Sequence, residues 1–270
     1  MRRFIIVLSV ASLLCACSAE KTSLRKVEVR VGTAESLSKV TVGEETSGLF
    51  PAIWQQGDCI SLNGVVSQPL SASMAGGSEA AFAFTLTEHP SPCRLLYPGA
   101  ATDAVNLDGK TIPMYASGSS LDEIFLFRHL CCGLRLQLVG DLSVSSLQLS
   151  APAGENLAGK YGVSFPDGSL SAVDARSSVT LDFDAPQVLS ATVPLSFFVF
   201  FAPGTFAEGL LLTAEAPDGT VRDWKIGTGC RFERGRLYLI PLTSFSASEQ
   251  PGGFSLSLDA MTEELISIEL

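Results

Sequence analysis

The stretch Pro194-Leu195-Ser196-Phe197-Phe198-Val199-Phe200-Phe201-Ala202-Pro203-Gly204-Thr205 decides the fold class, because it is the most apolar segment beyond residue 16. It is too short for a transmembrane helix, which needs about 20 apolar residues. Prolines stand near both of its ends, and phenylalanine and valine are residues that favour strands. The stretch therefore predicts a central strand of a β-sandwich.

The composition around this strand is that of an all-β protein. The chain of 270 residues contains 24 glycines and 14 prolines, and short runs of Val, Leu and Phe lie between them. Such runs, bounded by turn residues, are typical of strands, and no long helical period occurs beyond residue 16. The clearest turn is Pro217-Asp218-Gly219-Thr220, which predicts a hairpin.

Strict alternation marks the first strand of the predicted fold. In Lys26-Val27-Glu28-Val29-Arg30-Val31 the valines share one face and the charged residues share the other, which predicts a half-buried strand. Further strands are predicted at residues 59–62, 80–86, 93–97, 111–115, 124–139, 146–149, 160–165, 179–183, 210–216, 223–226 and 236–242. With about seven short strands on each side of Ser117-Gly118, the pattern predicts two sandwich domains, at residues 27–118 and 119–247.

The N-terminus has the pattern of an export signal. Arg2 and Arg3 precede the apolar residues 4–14, which gives the charged region and the short apolar core of a secretory signal peptide. The apolar core is too short to span a bilayer. We therefore predict a signal peptide at residues 1–16.

The end of this signal predicts a lipid anchor. In Leu14-Cys15-Ala16-Cys17 a branched apolar residue stands three positions before Cys17 and a small residue stands one position before it, as in a bacterial lipobox. Lipid on Cys17 would attach the protein to a membrane through buried acyl chains, and residues 17–26 would form a polar tether. The alternative is ordinary signal cleavage near Ala19, in which Cys17 is lost.

The C-terminal tail, residues 248–270, differs in character from the rest of the chain. A linker rich in Ser, Gly and Pro at residues 246–253 leads into it. Apolar residues then alternate with polar ones at Phe254, Leu256, Leu258, Ile266, Ile268 and Leu270. This pattern predicts either a last strand that pairs within its own chain or a donor strand that completes the sheet of another molecule.

Charge excludes nucleic acid as a partner. The chain has 18 Lys and Arg against 28 Asp and Glu, a net charge of −10, whereas phosphate binding needs clustered positive charge. The densest basic cluster is Arg231, Arg234 and Arg236, and Glu233 lies within it. A solvated strand end explains this cluster more simply than a binding site does.

No cofactor or metal site is predicted. Beyond the signal peptide and Cys17, the chain has no Cys-x-x-Cys pair and only 2 histidines, which argues against a structural zinc site. The remaining cysteines, which we predict to be buried free thiols although an exported chain could also form a disulfide, are Cys59, Cys93, Cys131, Cys132 and Cys230.

No catalytic constellation is predicted either, and we do not expect an enzyme. His89 precedes a proline in a loop, and His129 has no cysteine or carboxylate at metal-ligand spacing. Asp182 and Asp184 share one face of a strand, which is most simply the solvated face. Trp54 is expected to fill a core rather than to line a sugar-binding cleft.

A family resemblance is carried by motifs that occur along the chain in a fixed order. Besides the lipobox, they are Trp54-x-x-Gly57-Asp58-x-Ile60, Leu95-Leu96-Tyr97-Pro98, Phe127-Arg128-His129 at the start of a long apolar strand, and Phe201-Ala202-Pro203-Gly204-Thr205-Phe206. Taken together, they resemble the fimbrillin-like lipoproteins of Gram-negative gut and oral anaerobes. The resemblance covers nearly the whole chain.

The resemblance implies a fold and a function. It implies an all-β chain with two transthyretin-like β-sandwich domains in tandem, exported as a lipidated precursor to the outer membrane and the cell surface. Such proteins are subunits of adhesive fimbriae. The implied partners are other fimbrial subunits and a receptor on a host or bacterial surface.

The resemblance also implies a route of assembly. In this family a protease cuts after a basic residue, usually arginine, in the loop that follows the first strand, and Lys39 stands at the matching position here. Loss of the first strand opens a groove, which the C-terminal strand of another subunit fills. The alternative is a lipoprotein that is not processed and that anchors a fimbrium or binds a surface glycan.

Overall fold

The computed structural model describes residues 24–33, 53–245 and 254–256. Within these ranges every regular element is a β-strand and none is a helix, which confirms the all-β prediction. The described segments accordingly include no helix that is long and apolar enough to cross a membrane. The predictions for Cys17, Lys39, Leu258, Ile266, Ile268 and Leu270 lie outside the described residues.

The strands follow one another closely along the chain. Their bounds are β1 (Arg25–Thr33), β2 (Ser61–Leu62), β3 (Val65–Val66), β4 (Glu79–Leu86), β5 (Cys93–Tyr97), β6 (Ala104–Leu107), β7 (Met114–Gly118), β8 (Phe125–His129), β9 (Cys132–Gly140), β10 (Ser143–Ser150), β11 (Ala158–Ser164), β12 (Ser169–Arg176), β13 (Ser178–Val188), β14 (Leu195–Phe201), β15 (Gly204–Phe206), β16 (Leu210–Glu215), β17 (Val221–Ile226), β18 (Cys230–Phe232), β19 (Leu237–Phe245) and β20 (Phe254–Leu256).

The strands form several sheets. The largest sheet has seven strands in the order β3-β2-β5-β7-β8-β1-β4, and a five-stranded sheet has the order β13-β10-β16-β17-β20. Two three-stranded sheets have the orders β12-β11-β6 and β14-β9-β19, and β15 pairs with β18. The predicted hairpin turn joins β16 to β17, and Gly219 takes a φ of +85° there, a conformation that glycine adopts without steric cost.

Strand pairing crosses the predicted boundary at residue 118. β8 follows this position but pairs with β7 and β1 in the first sheet. β6 precedes it but pairs with β11 of the later part of the chain. The two parts of the chain are therefore connected by shared sheets as well as by the polypeptide.

The apolar stretch that sets the fold class forms β14, but the prediction of a central strand was wrong. β14 pairs with β9 only and stands at the end of its sheet. It is nevertheless apolar on both faces, because Phe197, Val199 and Phe201 enter one hydrophobic cluster and Phe200 enters another. The burial of both faces, rather than a central position, explains its composition.

The prediction of one strand at residues 124–139 was also wrong. The segment divides into β8 and β9, which belong to different sheets. At the division the main-chain N–H of Leu130 donates to the carbonyl of Pro113, and the carbonyl of Cys131 accepts from Gly235. The chain changes sheets at these two residues because their hydrogen-bond partners lie in different parts of the fold.

The strand predicted at residues 111–115 lies later in the chain, as β7. Asp108 accepts hydrogen bonds from the main-chain N–H groups of Lys110 and Thr111 at 2.9 and 2.7 Å, which holds this segment in a turn. Pro113 then offers no N–H for a ladder. The strand starts at Met114 for these reasons.

Three hydrophobic clusters form the interior of the part of the chain that the structure describes. One consists of residues between Val29 and Phe127, and a larger one consists of residues from Cys132 onward. The third draws on both parts of the chain; its buried members are Leu96, Val105, Leu107, Ile112, Tyr115, Leu130, Cys131, Tyr161, Val163, Phe200, Ala202 and Leu237. Apolar burial thus connects the two parts directly.

Candidate functional site

The first strand lies inside a sheet rather than at its edge. β1 pairs antiparallel with β4 from Arg25↔Leu86 to Gly32↔Glu79, and it pairs parallel with β8 from Val31↔Phe125 to Thr33↔Phe127. In the sheet order β4 has β1 as its only neighbour. A segment close to the N-terminus therefore supplies the hydrogen bonds that hold β4 in the sheet.

The alternation predicted for β1 is confirmed by its burial. Val29 and Val31 are buried, Val27 is half-buried, and the charged residues between them are exposed. Both buried valines belong to the first hydrophobic cluster. Full burial of an aliphatic side chain contributes about 1.5–3 kcal/mol, so β1 is held by its side chains as well as by its ladders.

The core beneath β1 is centred on Trp54. Its ring packs edge-on against Phe82 of β4, Tyr97 of β5 and Phe127 of β8, with centroid distances of 5.3, 5.4 and 5.6 Å. The indole N–H donates to the carbonyl of Ser78 at 3.2 Å. Trp54 is buried, so the prediction that it fills a core is confirmed.

A turn directly after Trp54 fixes its position. The main-chain N–H of Gln55 donates to a carboxylate oxygen of Asp58 at 2.7 Å, and Gly57 takes a φ of +90°. The hydroxyl of Tyr97 donates to the other oxygen of Asp58 at 3.3 Å. Burial, together with the charge of Asp58, raises the pKa of Tyr97 above its ordinary value, so the phenol stays protonated.

The start of the C-terminal tail lies at a sheet edge. β20 pairs parallel with β17, from Trp224↔Phe254 to Ile226↔Leu256. Residues 254–256 of the tail thus form a strand that pairs within its own chain, which is one of the two alternatives that the sequence left open. Its proposed role as a donor strand stays a prediction.

A groove opens between two edge strands of different sheets. β13 pairs only with β10 and β14 pairs only with β9 among the described strands, and the space between their outer edges has a volume of about 820 Å³. Most of its wall is apolar; the residues that line it include Leu181, Phe183, Leu195, Phe197 and Phe198, with Lys110, Asp182 and Asp184 as its charged members. We call this groove the β13–β14 seam.

One end of the seam is closed by the turn of residues 108–111. The carbonyl of Gly109 accepts from the N–H of Phe200 on β14 at 2.9 Å, and the ammonium group of Lys110 donates to the carbonyl of Asp182 on β13 at 3.1 Å. Local sequence does not predict this contact. The Asp108-Gly109 dipeptide is a turn signal, but it does not show what the turn touches.

A second, more polar groove of about 830 Å³ lies between β5, β7 and the end of β11. The guanidinium of Arg94 and the carboxylate of Asp103 form an ion pair of 2.6 Å in it, and Arg94 also lies over the ring of Phe165. Asn63 holds this region together, because its side chain accepts from the N–H of Arg94 and donates to the carbonyl of Pro92.

The residues considered for chemistry do not come together into a catalytic or metal site. Asp182 and Asp184 are both exposed on β13, as predicted for a solvated face. His129 is buried at the end of β8, and burial lowers its pKa to about 3. The part of the chain that the structure describes holds no group of His, Cys, Asp and Glu arranged to bind a metal ion.

The described cysteines are free thiols. Cys93, Cys131, Cys132 and Cys230 are buried, as predicted, whereas Cys59 is only half-buried. Burial raises the pKa of Cys131 to about 12 and raises the pKa values of the other thiols as well. These groups stay protonated at neutral pH and are poor nucleophiles.

The strand order and the clusters define an all-β protein of the sandwich class, and solved structures share its fold. No model of a known protein family matches the sequence, and no curated protein matches it. A structure described as a candidate cell adhesion protein from Bacteroides uniformis has a TM-score of 0.51 at 15% identity, over 83% of this chain and 93% of that chain.

Two further structures agree with it. A candidate cell adhesion protein from Bacteroides ovatus has a TM-score of 0.52 at 12% identity, over 84% of this chain and 94% of that chain. A candidate cell adhesion protein from Bacteroides fragilis has a TM-score of 0.51 at 11% identity, over 85% of this chain and 97% of that chain. At these identities the likeness shows the fold, and in this respect the resemblance inferred from the sequence is confirmed. These neighbours are named for adhesion and not for catalysis.

Proposed function

We propose that this chain is a structural subunit of an adhesive fimbrium, exported as a lipoprotein with lipid on Cys17 and assembled by strand exchange. The observation that carries the proposal is the position of β1, an N-terminal strand inserted between β4 and β8. It ends shortly before Lys39, the residue at which the resemblance implies processing.

Loss of β1 would leave a site suited to a donor strand. β4 and β8 would lose their ladder partner, and the cluster around Trp54 would lose Val29 and Val31. Unpaired main-chain groups beside an apolar slot are satisfied by another extended segment with alternating apolar residues. The C-terminal tail has this pattern, and we assign it the donor role.

The proposal includes the arrangement of the body. We propose two transthyretin-like β-sandwich domains, with one core around Trp54 and the other built from residues from Cys132 onward. The mixed third cluster would act as the contact between them. The partners would be other subunits of the same fimbrium and a receptor on a host or bacterial surface, and the location would be the outer membrane and the cell surface.

The test is controlled cleavage of the purified full chain by a lysine-specific protease. We expect a new N-terminus at Val40, release of β1 and growth of polymers visible by electron microscopy. The variant Lys39→Gln should block both events, whereas Lys160→Gln, at an exposed lysine of β11, should change neither. Deletion of residues 250–270 should leave cleavage intact and prevent polymers. Polymers of unchanged length from the deleted chain would refute strand donation.

A second candidate is a lipoprotein that keeps β1 and anchors a fimbrium or binds a surface glycan. Two observations favour it: Lys39 stands where the resemblance implies arginine, and the groove at Arg94 and Asp103 offers polar groups beside the aromatic Phe165. N-terminal sequencing of cell-surface material decides between the two functions. A start at Val40 supports assembly, and lipidated Cys17 on the surface supports the anchor.

A further inference from the structure

The turn between β2 and β3 carries an Asn-Gly pair, the dipeptide at which a protein chain most readily modifies itself. The chain has three asparagines; Asn63 precedes a glycine, whereas Asn106 and Asn156 each precede a leucine. The main-chain nitrogen of a glycine reaches the side-chain amide of a preceding asparagine easily, because glycine has no Cβ to obstruct the approach. Asn63 and Gly64 are both half-exposed, so water reaches the pair.

The reaction of such a pair consumes water and no other reagent. The main-chain nitrogen of Gly64 loses its proton to hydroxide and attacks Cγ of Asn63. The bond from Cγ to the side-chain amide nitrogen breaks, and this nitrogen takes up protons from water and leaves as ammonia. Water then opens the resulting succinimide ring, either at Cγ, which gives aspartate, or at the main-chain carbonyl carbon, which gives isoaspartate. In sum, one water is consumed and one ammonia is released.

The folded chain restrains the side chain that would react. The amide nitrogen of Asn63, which is the leaving group, donates to the carbonyl of Pro92 at 2.9 Å. The amide oxygen accepts from the N–H of Arg94 at 2.7 Å, and the main-chain N–H of Asn63 donates to the carbonyl of Arg94 at 2.8 Å. Rotation of the amide onto the nitrogen of Gly64 therefore breaks the bonds of both amide atoms.

The attacking residue is restrained as well. Asn63 and Gly64 have φ values of +47° and +83°, the two positive values of a type I′ turn, which closes the β2–β3 hairpin. A Cβ on Gly64 would lie 2.9 Å from the carbonyl oxygen of Ala101, so the turn packs directly on that main chain. Leu62, at the end of β2, is fully buried in the first hydrophobic cluster. Ring closure therefore requires the hairpin to leave β5.

We propose that Asn63 is a modification site gated by the β2–β3 hairpin. While the hairpin is paired with β5 the asparagine persists, and when the hairpin opens it converts to aspartate and isoaspartate. The hairpin is suited to local opening, because β2 and β3 have two residues each and β3 stands at the edge of its sheet. The site goes beyond the proposed function, since neither β1 nor Lys39 takes part in it.

The modification makes the opening of the hairpin a one-way step. An aspartate at position 63 has no N–H for the carbonyl of Pro92 and places a charged oxygen beside it. An isoaspartate lengthens the main chain by one carbon in a turn that has only two residues between the paired Leu62 and Val65. Both products therefore oppose the return of the hairpin to β5.

The first test compares the folded and the unfolded full chain at mildly alkaline pH. Peptide mapping by mass spectrometry follows the mass gained when the amide becomes an acid, and electron-transfer fragmentation identifies isoaspartate. We expect Asn63 to convert at least tenfold faster in concentrated urea than in buffer. In urea, Asn106 and Asn156 should convert at least tenfold more slowly than Asn63. Equal rates for Asn63 in urea and in buffer, or no conversion of Asn63 in urea, would overturn the proposal.

Matched leucine variants check the gate in the folded chain. Leu62→Ala removes the apolar anchor of the hairpin and should speed the conversion of Asn63 at least tenfold. Leu149→Ala, at a buried site of β10 in the larger cluster, should change the rate less than twofold. If Leu62→Ala does not fold, Ile60→Val is the milder variant and should raise the rate at least twofold. Equal acceleration by variants in the two clusters would indicate global unfolding and overturn the gate.

Hydrogen exchange tests the one-way step. Asn63→Asp reproduces one product and should raise the exchange rates of the main-chain N–H groups of residues 61–67 at least tenfold. Asn106→Asp makes the same change at an exposed position of β6 and should alter these rates less than twofold. Equal exchange rates in the two variants would refute the one-way step. Polymer growth after cleavage at Lys39 is measured separately, so failure here leaves the proposed function standing.

Discussion

The substitution Val29→Ala tests whether β1 is a structural part of the first core that can also leave it. Val29 is fully buried and lies opposite Phe82 in the ladder with β4. Loss of two methyl groups costs about 1.6 kcal/mol at ~0.8 kcal/mol each, and the remaining cavity adds about 1 kcal/mol. We therefore expect the free energy of unfolding to fall by about 2.5 kcal/mol in the uncleaved chain.

The assay uses the tryptophan at the centre of this core. In a Trp224→Phe background the fluorescence of Trp54 alone reports urea unfolding, because the chain has 2 tryptophans. The control is Arg30→Ala, the exposed neighbour of Val29 on the opposite face of β1, which should change the free energy of unfolding by less than about 0.5 kcal/mol.

The same variant has a kinetic consequence under the proposed assembly. If the lost free energy of about 2.5 kcal/mol appears in the barrier for release of β1, release after cleavage accelerates up to ~70-fold. The lag before polymer growth should shorten accordingly for Val29→Ala and not for Arg30→Ala. Equal urea midpoints for the two variants would refute the structural role of β1, and equal lags would refute its release as a step of assembly.

Three further predictions concern other parts of the fold. Gly109→Ala should lower the free energy of unfolding by more than about 2 kcal/mol, because φ is +85° at this position and the new Cβ would lie 2.6 Å from a side chain of β13. The control Gly154→Ala has a similar φ but open space around the new Cβ, so it should lower the free energy of unfolding by only about 1 kcal/mol. Urea unfolding measures both variants. Burial holds the pKa of His129 at about 3 in the folded chain, below its ordinary value of 6.5. Between pH 6.5 and pH 3 the unfolded chain therefore binds a proton on this histidine that the folded chain does not bind, so the free energy of unfolding should fall as the pH drops from 6.5 towards 3. In denaturation experiments at a series of pH values, His129→Gln should reduce the slope of the free energy of unfolding against pH by up to about 1.4 kcal/mol per pH unit. In the native chain from residue 18 onward, a thiol reagent should modify Cys59 first and the other described cysteines only after unfolding, and Cys59→Ser should remove the first phase.

The sequence by itself determined the class of the fold and the faces of several strands. Alternation of Val27, Val29 and Val31 with charged residues identifies the buried side of β1, because successive side chains of a strand point to opposite faces. Turn residues at Pro217-Asp218-Gly219-Thr220 place a hairpin, because their local conformations do not depend on distant partners. The burial of Trp54 is expected from its large apolar ring, because aromatic side chains contribute most to a core when they are buried.

Only the tertiary structure decided which strands pair and where the edges lie. Ladder hydrogen bonds join main-chain groups that are the same in every residue, so the pattern of β1 does not show that β4 and β8 are its neighbours. For the same reason the apolar β14 was predicted as central although it stands at an edge, since burial of both faces gives the same composition in either position. The seam between β13 and β14 and the turn that closes one end depend on contacts between residues far apart in the chain, which local patterns do not specify.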